Sequence, residues 1–228
     1  MKRTGIIQTI ALTVLLLGMY SNYQVTQSHQ RSIDILNNST LKLSAVSLEK
    51  ETFNLSVLNS TVIVSDGQGH ASGVVVDKNV VITAGHCIDH NIVKVICYSG
   101  KEYSVISNFK SKKYDVGVLI IDGDLPFVNL GNDPIVLDTV YRIGTPVDEN
   151  YKFTVSKTIV SGINRNIYNR GGVTILDTQG ASGYSGCPVF SETGLLVGIH
   201  VASDKRICKS VVEPVSHIKE VLEEYKNE

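Results

Sequence analysis

Neither sign of charge is in excess in this sequence: 21 Lys and Arg face 22 Asp and Glu, a net charge of −1 with histidine neutral. That balance gives no reason to expect a polyanion partner, and nucleic acid is not expected. Tryptophan is absent, and methionine, proline and phenylalanine are scarce, at 2, 5 and 5 residues. There is no internal repeat and no low-complexity tract, so repeat arrays and biased disordered segments drop out. No heptad is sustained, which argues against a coiled coil. Glycine, by contrast, is plentiful at 19 residues, and Val and Ile recur in short runs. This is the composition of an all-β protein with many turns. The 228 residues have room for one large domain, or for two small lobes plus an extension.

Long apolar runs are missing too, with a partial exception at the N-terminus. In "MKRTGIIQTIALTVLLLGMY", Lys2 and Arg3 precede Gly5–Tyr20, which carries no charge. Two readings compete for residues 1–20, a retained membrane anchor and a cleaved signal peptide. Met19, Tyr20, Ser21 and Asn22 make a poor small-x-small cleavage site, which favours the anchor. The stretch falls short of the ~20 residues of a spanning helix and contains Gln8, which weakens it. In both cases the positive residues place the rest of the chain outside the cytoplasm, either single-pass in the membrane or secreted or periplasmic after cleavage. Residues 21–60 are rich in Ser, Asn, Gln and Thr and read as a stalk, partly helical from Ser32 to Leu48. Cys87, Cys97, Cys187 and Cys208 fit an oxidising compartment without fixing a pairing. Cys187 with Cys208 is the plausible pair, because both flank one expected strand pair.

From residue 61 the texture changes to short β-branched or aromatic runs divided by Gly, Asn, Asp and Lys. The first group is Thr61–Ser65, Ser72–Asp77, Val80–Thr83, Val93–Tyr98, Glu102–Phe109 and Asp115–Asp122. After "GDLPFVNLGNDP" come Leu137–Ile143, Lys152–Val160, Val173–Thr178, Pro188–Ser191, Leu195–Ala202 and Ser210–Glu213. Runs this short and evenly spaced favour barrels or sandwiches over βαβ units. At the end, Ser216 is a good N-cap, and Val215, Ile218, Val221 and Leu222 repeat at helical spacing. The expected architecture is two six-stranded halves, 61–125 and 135–213, followed by a helix at 214–226.

Chemistry concentrates in "GASGYSGCPVF", Gly180–Phe190. A serine hydroxyl needs a base to become a nucleophile, and the oxyanion it creates needs fixed donors. Gly183 and Gly186 flank Tyr184–Ser185 and free the backbone to turn its N–H groups toward one point. "VVITAGHCI" offers a base, His86, just after an apolar strand. "KKYDVGVLII" offers Asp115 at the mouth of another, where a partly buried acid needs a hydrogen-bond donor such as an imidazole N–H. His86, Asp115, Ser185 is one of the known convergent orders of a catalytic triad.

"TAGHC", "DVGVLI" and "GYSGCPVF", in this order, resemble the signature segments of the chymotrypsin-like serine peptidases, a resemblance that covers about Thr61–Tyr225. It implies a double β-barrel with the site in the cleft between barrels and a terminal helix. It implies Ser185 as nucleophile, His86 as general base and then acid, and Asp115 as the residue that holds the imidazole. The N–H groups of Gly183 and Ser185 are then the oxyanion hole, and polypeptide is the substrate. The short gaps between the three residues resemble the compact bacterial and viral branches. Trypsin-like zymogens carry Asp before the nucleophile; Tyr184 stands here, so that activation switch is expected to be missing. Where digestive enzymes have the cysteine partner of Cys87, this chain has Ala71, leaving Cys87 free or paired elsewhere.

Basic-selective relatives have Asp six residues before the nucleophile; Gln179 here argues against Arg or Lys at P1. "LLVGIHVAS" resembles the segment of glutamyl endopeptidases and picornaviral main proteases that puts a histidine in the S1 pocket, here His200. An imidazole N–H suits a Glu or Gln side chain. The backbone of Val201, Ala202 and Ser203 would pair with the substrate strand. The competing reading of His200 is a core histidine bonded to backbone. "HCIDH" fits no common metal site, and no metal or cofactor is expected. "KSKK" (110–113) and "NRGG" (169–172) read as exposed turns. The alternative function is a catalytically silent binding or chaperone-like module on the same double barrel. The high-temperature-requirement proteases, which the catalytic part also resembles, add a peptide-binding domain, and none is expected after this terminal helix.

Overall fold

The computed structural model describes residues 2–48 and 53–228. The chain divides into two compact units, Met1–Glu51 and Thr52–Glu228. The first is one helix, α1 (Lys2–Leu48), so residues 21–48 are continuously helical where a stalk with a helical part was expected. No helix of the described residues is long and apolar enough to cross a membrane, which leaves the expected anchor without support. The physical reason lies in the uncharged stretch itself, which is short, contains Gln8 and runs directly into polar sequence.

The second unit opens with Phe53, whose ring stacks 4.1 Å from Tyr141, and a 3₁₀ turn at Leu55–Ser60. Twelve strands follow. β1 (Thr61–Ser65), β2 (His70–Asp77), β3 (Val80–Ala84), β4 (Lys94–Cys97), β5 (Glu102–Lys110) and β6 (Val116–Ile121) close in the order β1-β2-β3-β6-β5-β4. β7 (Thr139–Gly144), β8 (Thr154–Ile167), β9 (Arg170–Leu176), β10 (Pro188–Ser191), β11 (Leu196–Asp204) and β12 (Lys209–Pro214) close in the order β10-β11-β12-β9-β8-β7. The two barrels share one topology, although the sequence shows no repeat. All neighbouring strands pair antiparallel. The fold is a chymotrypsin-like double barrel.

Burial explains why these runs become strands. Every residue of β1 and β6 is buried, the mark of strands covered on both faces. A fully buried side chain such as Leu119, Ile143 or Phe190 contributes about 1.5–3 kcal/mol. The largest extension beyond the expected strands is in β8. β8 reaches Ile167 rather than Val160, because its outer half is polar and exposed and lacks the apolar alternation that marks a strand. It turns at Tyr168 and Asn169, with φ of 52° and 63°, a two-residue hairpin that returns as β9.

A short helix, α2 (Gly85–Ile88), follows β3. The last helix, α3 (Val215–Lys226), buries Val215, His217, Ile218 and Val221. Its N-cap is Pro214 and not Ser216. The N–H of Ser216 is instead satisfied by Asp133 Oδ1, 2.9 Å away on the inter-barrel segment. That partner is far off in sequence, which is why the local capping signal misplaced the start.

Candidate active site

His86 sits on α2, directly after β3, and Asp115 directly before β6, the neighbour of β3 in the first barrel. Their approach depends on Gly85, where a Cβ would lie 3.0 Å from the Val116 nitrogen and 3.2 Å from the Asp115 carboxylate. Asp115 Oδ1 accepts the His86 backbone N–H at 2.8 Å, and Oδ2 accepts the ring Nδ1–H at 2.9 Å. His86 Nε2 lies 2.8 Å from Ser185 Oγ, which comes from the second barrel's loop ahead of β10. The proton on Nδ1 leaves Nε2 free to accept from the hydroxyl. The structure thus brings the three expected side chains into one hydrogen-bonded chain.

The side chain of Asp115 is 9% exposed and that of His86 40%. Burial works to raise the Asp115 carboxyl, but the His86 hydrogen bonds and charge, with Arg170 beside it, hold it below its ordinary value. The Asp115 hydrogen bond in turn raises the His86 imidazole above its ordinary value. Arg170 Nη2 stands 2.8 Å from Asp115 Oδ2, so "NRGG" is more than an exposed turn. Asp115 N–H donates to Glu213 Oε1 at 3.3 Å, and Glu213 Oε2 accepts from His217 Nδ1 at 2.6 Å. These partners were not legible in the sequence, since Arg170 and Glu213 become neighbours of Asp115 only through barrel closure.

The loop around Ser185 is fastened from several sides. Gly183 and Gly186 have φ of 87° and 79°, the left-handed region that favours glycine. A Cβ at Gly183 would lie 2.2 Å from Thr145 O, and one at Gly186 2.1 Å from Ser72 O. Ser72 donates its N–H to Ser185 O and its hydroxyl to Gly183 O, both at 2.8 Å. Tyr184 and Cys187 donate to Ala181 O and Tyr184 O, and Gly186 to His200 O. Among the described residues, the Gly183 and Ser185 N–H groups have no protein acceptor. Tyr184, standing where zymogens carry Asp, packs its ring 4.0 Å from the guanidinium of Arg142, which is 2% exposed. Arg142 donates to Ser210 Oγ and Gln179 O at 2.9 and 3.1 Å. A buried cation–π contact thus anchors the loop at the position where zymogens carry Asp.

His200 lies on β11, buried, with Nδ1 unpartnered and Nε2 3.5 Å from Ser203 Oγ. Burial, with smaller contributions from Arg142 and His86, pushes it down to about 3, so the ring is neutral. Gly180 leaves it room, because a Cβ there would fall 2.6 Å from Nε2. A bulge at His200/Ala202 interrupts the β11–β12 ladder, and β11 pairs with β10 only as far as Ile199. That edge continues through His200, which donates to Cys187 O and accepts from Gly186 N–H, and among the described residues Val201, Ala202 and Ser203 have no backbone partner on it. Gln179 meets Arg142 through its carbonyl rather than its side chain. A cavity of about 260 Å³ is lined by Ser185, Gly183, His86, His70, His90 and Ile92.

All four cysteines are free. Cys187 is buried with its thiol donating to Ile143 O at 3.0 Å, and burial pushes that thiol up to about 12. Cys208 is exposed, so the expected Cys187–Cys208 pair does not form: one thiol faces the core and the other solvent.

Three likenesses to known proteins accompany this geometry. The sequence model of the trypsin-like peptidase domain matches residues 71–199, a span that holds His86, Asp115 and Ser185. The serine protease Do-like HtrA of Bacillus subtilis (strain 168) is 28% identical over 178 residues, covering 68% of this chain. The chain spans 39% of the length of that relative. The crystal structure of the serine endoprotease from Yersinia pestis is similar in fold, with a TM-score of 0.64 and 24% identity over 74% of this chain and 63% of that one. This chain belongs to the family of trypsin-like peptidase domains.

Proposed function

We propose that the protein is a serine endopeptidase working through His86, Asp115 and Ser185. The observation that carries the reading is the unbroken chain from Asp115 Oδ2 through His86 to Ser185 Oγ, at 2.9 and 2.8 Å. His86 Nε2 takes the hydroxyl proton as Oγ attacks the scissile carbonyl carbon. The carbonyl oxygen gains negative charge as the tetrahedral centre forms, and the free Gly183 and Ser185 N–H groups receive it. The imidazolium, balanced by Asp115, gives its proton to the leaving amine, and an acyl-enzyme on Ser185 remains. Water then attacks the ester while His86 takes its proton, and collapse frees the acid and the serine.

The proposal extends to specificity. The neutral His200 ring beside Ser203 and Gly180 supports a Glu or Gln side chain at P1, held by an imidazole N–H. The open edge of Val201–Ser203 supports an extended substrate strand added to β11. Export belongs to the same reading, from Lys2 and Arg3 ahead of the uncharged Gly5–Tyr20.

Unfolded casein and a mixed peptide library, read by mass spectrometry, test both parts. Casein is expected to be cut by the protein and left whole by Ser185→Ala, with cuts in the library falling after Glu or Gln. Casein bound but uncut by the wild type would favour the silent module. Cuts after Arg, Lys or large apolar residues would remove the assigned role of His200.

A further inference from the structure

Arg170 joins the two barrels at the one charged group on which the triad turns. It opens β9, immediately after the two-residue turn at Tyr168–Asn169, on a hairpin of the second barrel. Asp115 belongs to the first barrel, yet Arg170 Nη2 stands 2.8 Å from its Oδ2, the same oxygen that accepts His86 Nδ1–H. The carboxylate is nine-tenths buried and the arginine side chain 30% exposed, so the pair is shielded on the aspartate side. A guanidinium on that oxygen does two things. It holds the carboxylate in place for the imidazole, and it takes a share of the negative charge that would otherwise stabilise the imidazolium alone.

The other charged or titratable groups around this point leave that task to Arg170. Glu213 on β12 meets Asp115 only through the backbone N–H, and its second oxygen is occupied by His217 of α3. Tyr114 stacks on His217, 3.9 Å away. Cys87 on α2 and His200 on β11 act on His86 or respond to its charge, and His70 and His90 line one cavity with it. Among the described residues Arg170 is the one cation in ion-pair range of Asp115 besides His86 itself.

We propose that Arg170 is a positioning residue of the active site, reached across the barrels by the β8–β9 hairpin, that fixes Asp115 against His86 and shares the charge of its carboxylate. The inference rests on the triad reading above.

The test is the pH profile of kcat/KM for Arg170→Gln and Arg170→Lys in the full chain, with a fluorophosphonate probe as a separate readout. In Arg170→Gln, Asp115 loses its second cation and His86 keeps its proton to higher pH. The acid limb is expected to move up by about one pH unit, and kcat/KM at neutral pH to fall about tenfold. Arg170→Lys, which keeps the charge, is expected to return the limb toward the wild-type position. The Glu213, His217, Cys87 and His200 contributions are common to all three proteins, so the difference reads the charge at position 170. Should Arg170→Gln fail to fold, Arg170→Met keeps the aliphatic stem and must give the same upward move. A limb that stays in place or moves down in the neutral variant overturns the inference, whatever happens to the rate. Wild-type protein that does not react with the probe at all removes the triad reading itself, whereas a reactive enzyme with an unmoved limb removes only the role of Arg170.

Discussion

The two oxygens of Asp115 accept hydrogen bonds from the His86 N–H, the His86 ring and Arg170, and the bond from the ring raises His86 above the ordinary imidazole value of 6.5. A protonated His86 cannot accept the serine proton. Activity is therefore expected to appear as pH rises through the raised His86 value, above about 6.5. Asp115→Asn removes the first cause of that shift, so the acid limb moves down while kcat drops about 10⁴-fold. A pH–kcat/KM series on one peptide for both proteins checks it, and a wild-type limb at or below the ordinary imidazole value contradicts it. At this scale the sequence was readable where chemistry needs small neighbours. Gly183 and Gly186 pointed to Ser185, and the end of the apolar run in "VVITAGHCI" to His86. It was silent on Arg170, Arg142 and Glu213. A lone arginine in "NRGG" has no local feature that distinguishes an exposed turn from a guanidinium on a buried carboxylate. The cysteines misled for a related reason: spacing along the chain says nothing of which way two side chains face.

Among the elements, α3 carries the packing that ties the terminal segment to both barrels. It contacts β6 of the first barrel and β11 and β12 of the second, with Ile218 and Val221 fully buried. Ile218→Ala is expected to destabilise the unit by about 2–5 kcal/mol through lost transfer energy and the cavity left behind. Chemical denaturation of the two proteins measures it, and a change below about 1 kcal/mol would mean that α3 is not packed as described. The helix was legible from the spacing of its apolar residues, but its first turn was not, because Asp133 supplies the cap from a distant segment. Strands were legible wherever apolar residues were dense, as in β1, β3 and β6. They were lost in the outer half of β8, where exposed polar residues sit on a hairpin that only β9 explains.

For the whole molecule, the sequence yielded two six-stranded halves without revealing that they share one strand order. Closure of each barrel sets that order through backbone hydrogen bonds, which many side-chain patterns satisfy equally. In the proposed mechanism the first barrel supplies base and acid, and the second supplies the hydroxyl, the two free N–H groups and Arg170. Reactivity at Ser185 is on that reading a property of the assembled pair. The most direct measurement is therefore covalent labelling of the full chain by a fluorophosphonate, mapped by peptide mass spectrometry, in wild type, His86→Ala and Ser185→Ala. A single adduct on Ser185 is predicted, nearly abolished without His86 and absent without the hydroxyl. An unlabelled wild type, or an adduct that persists when Ser185 is gone, would contradict the account.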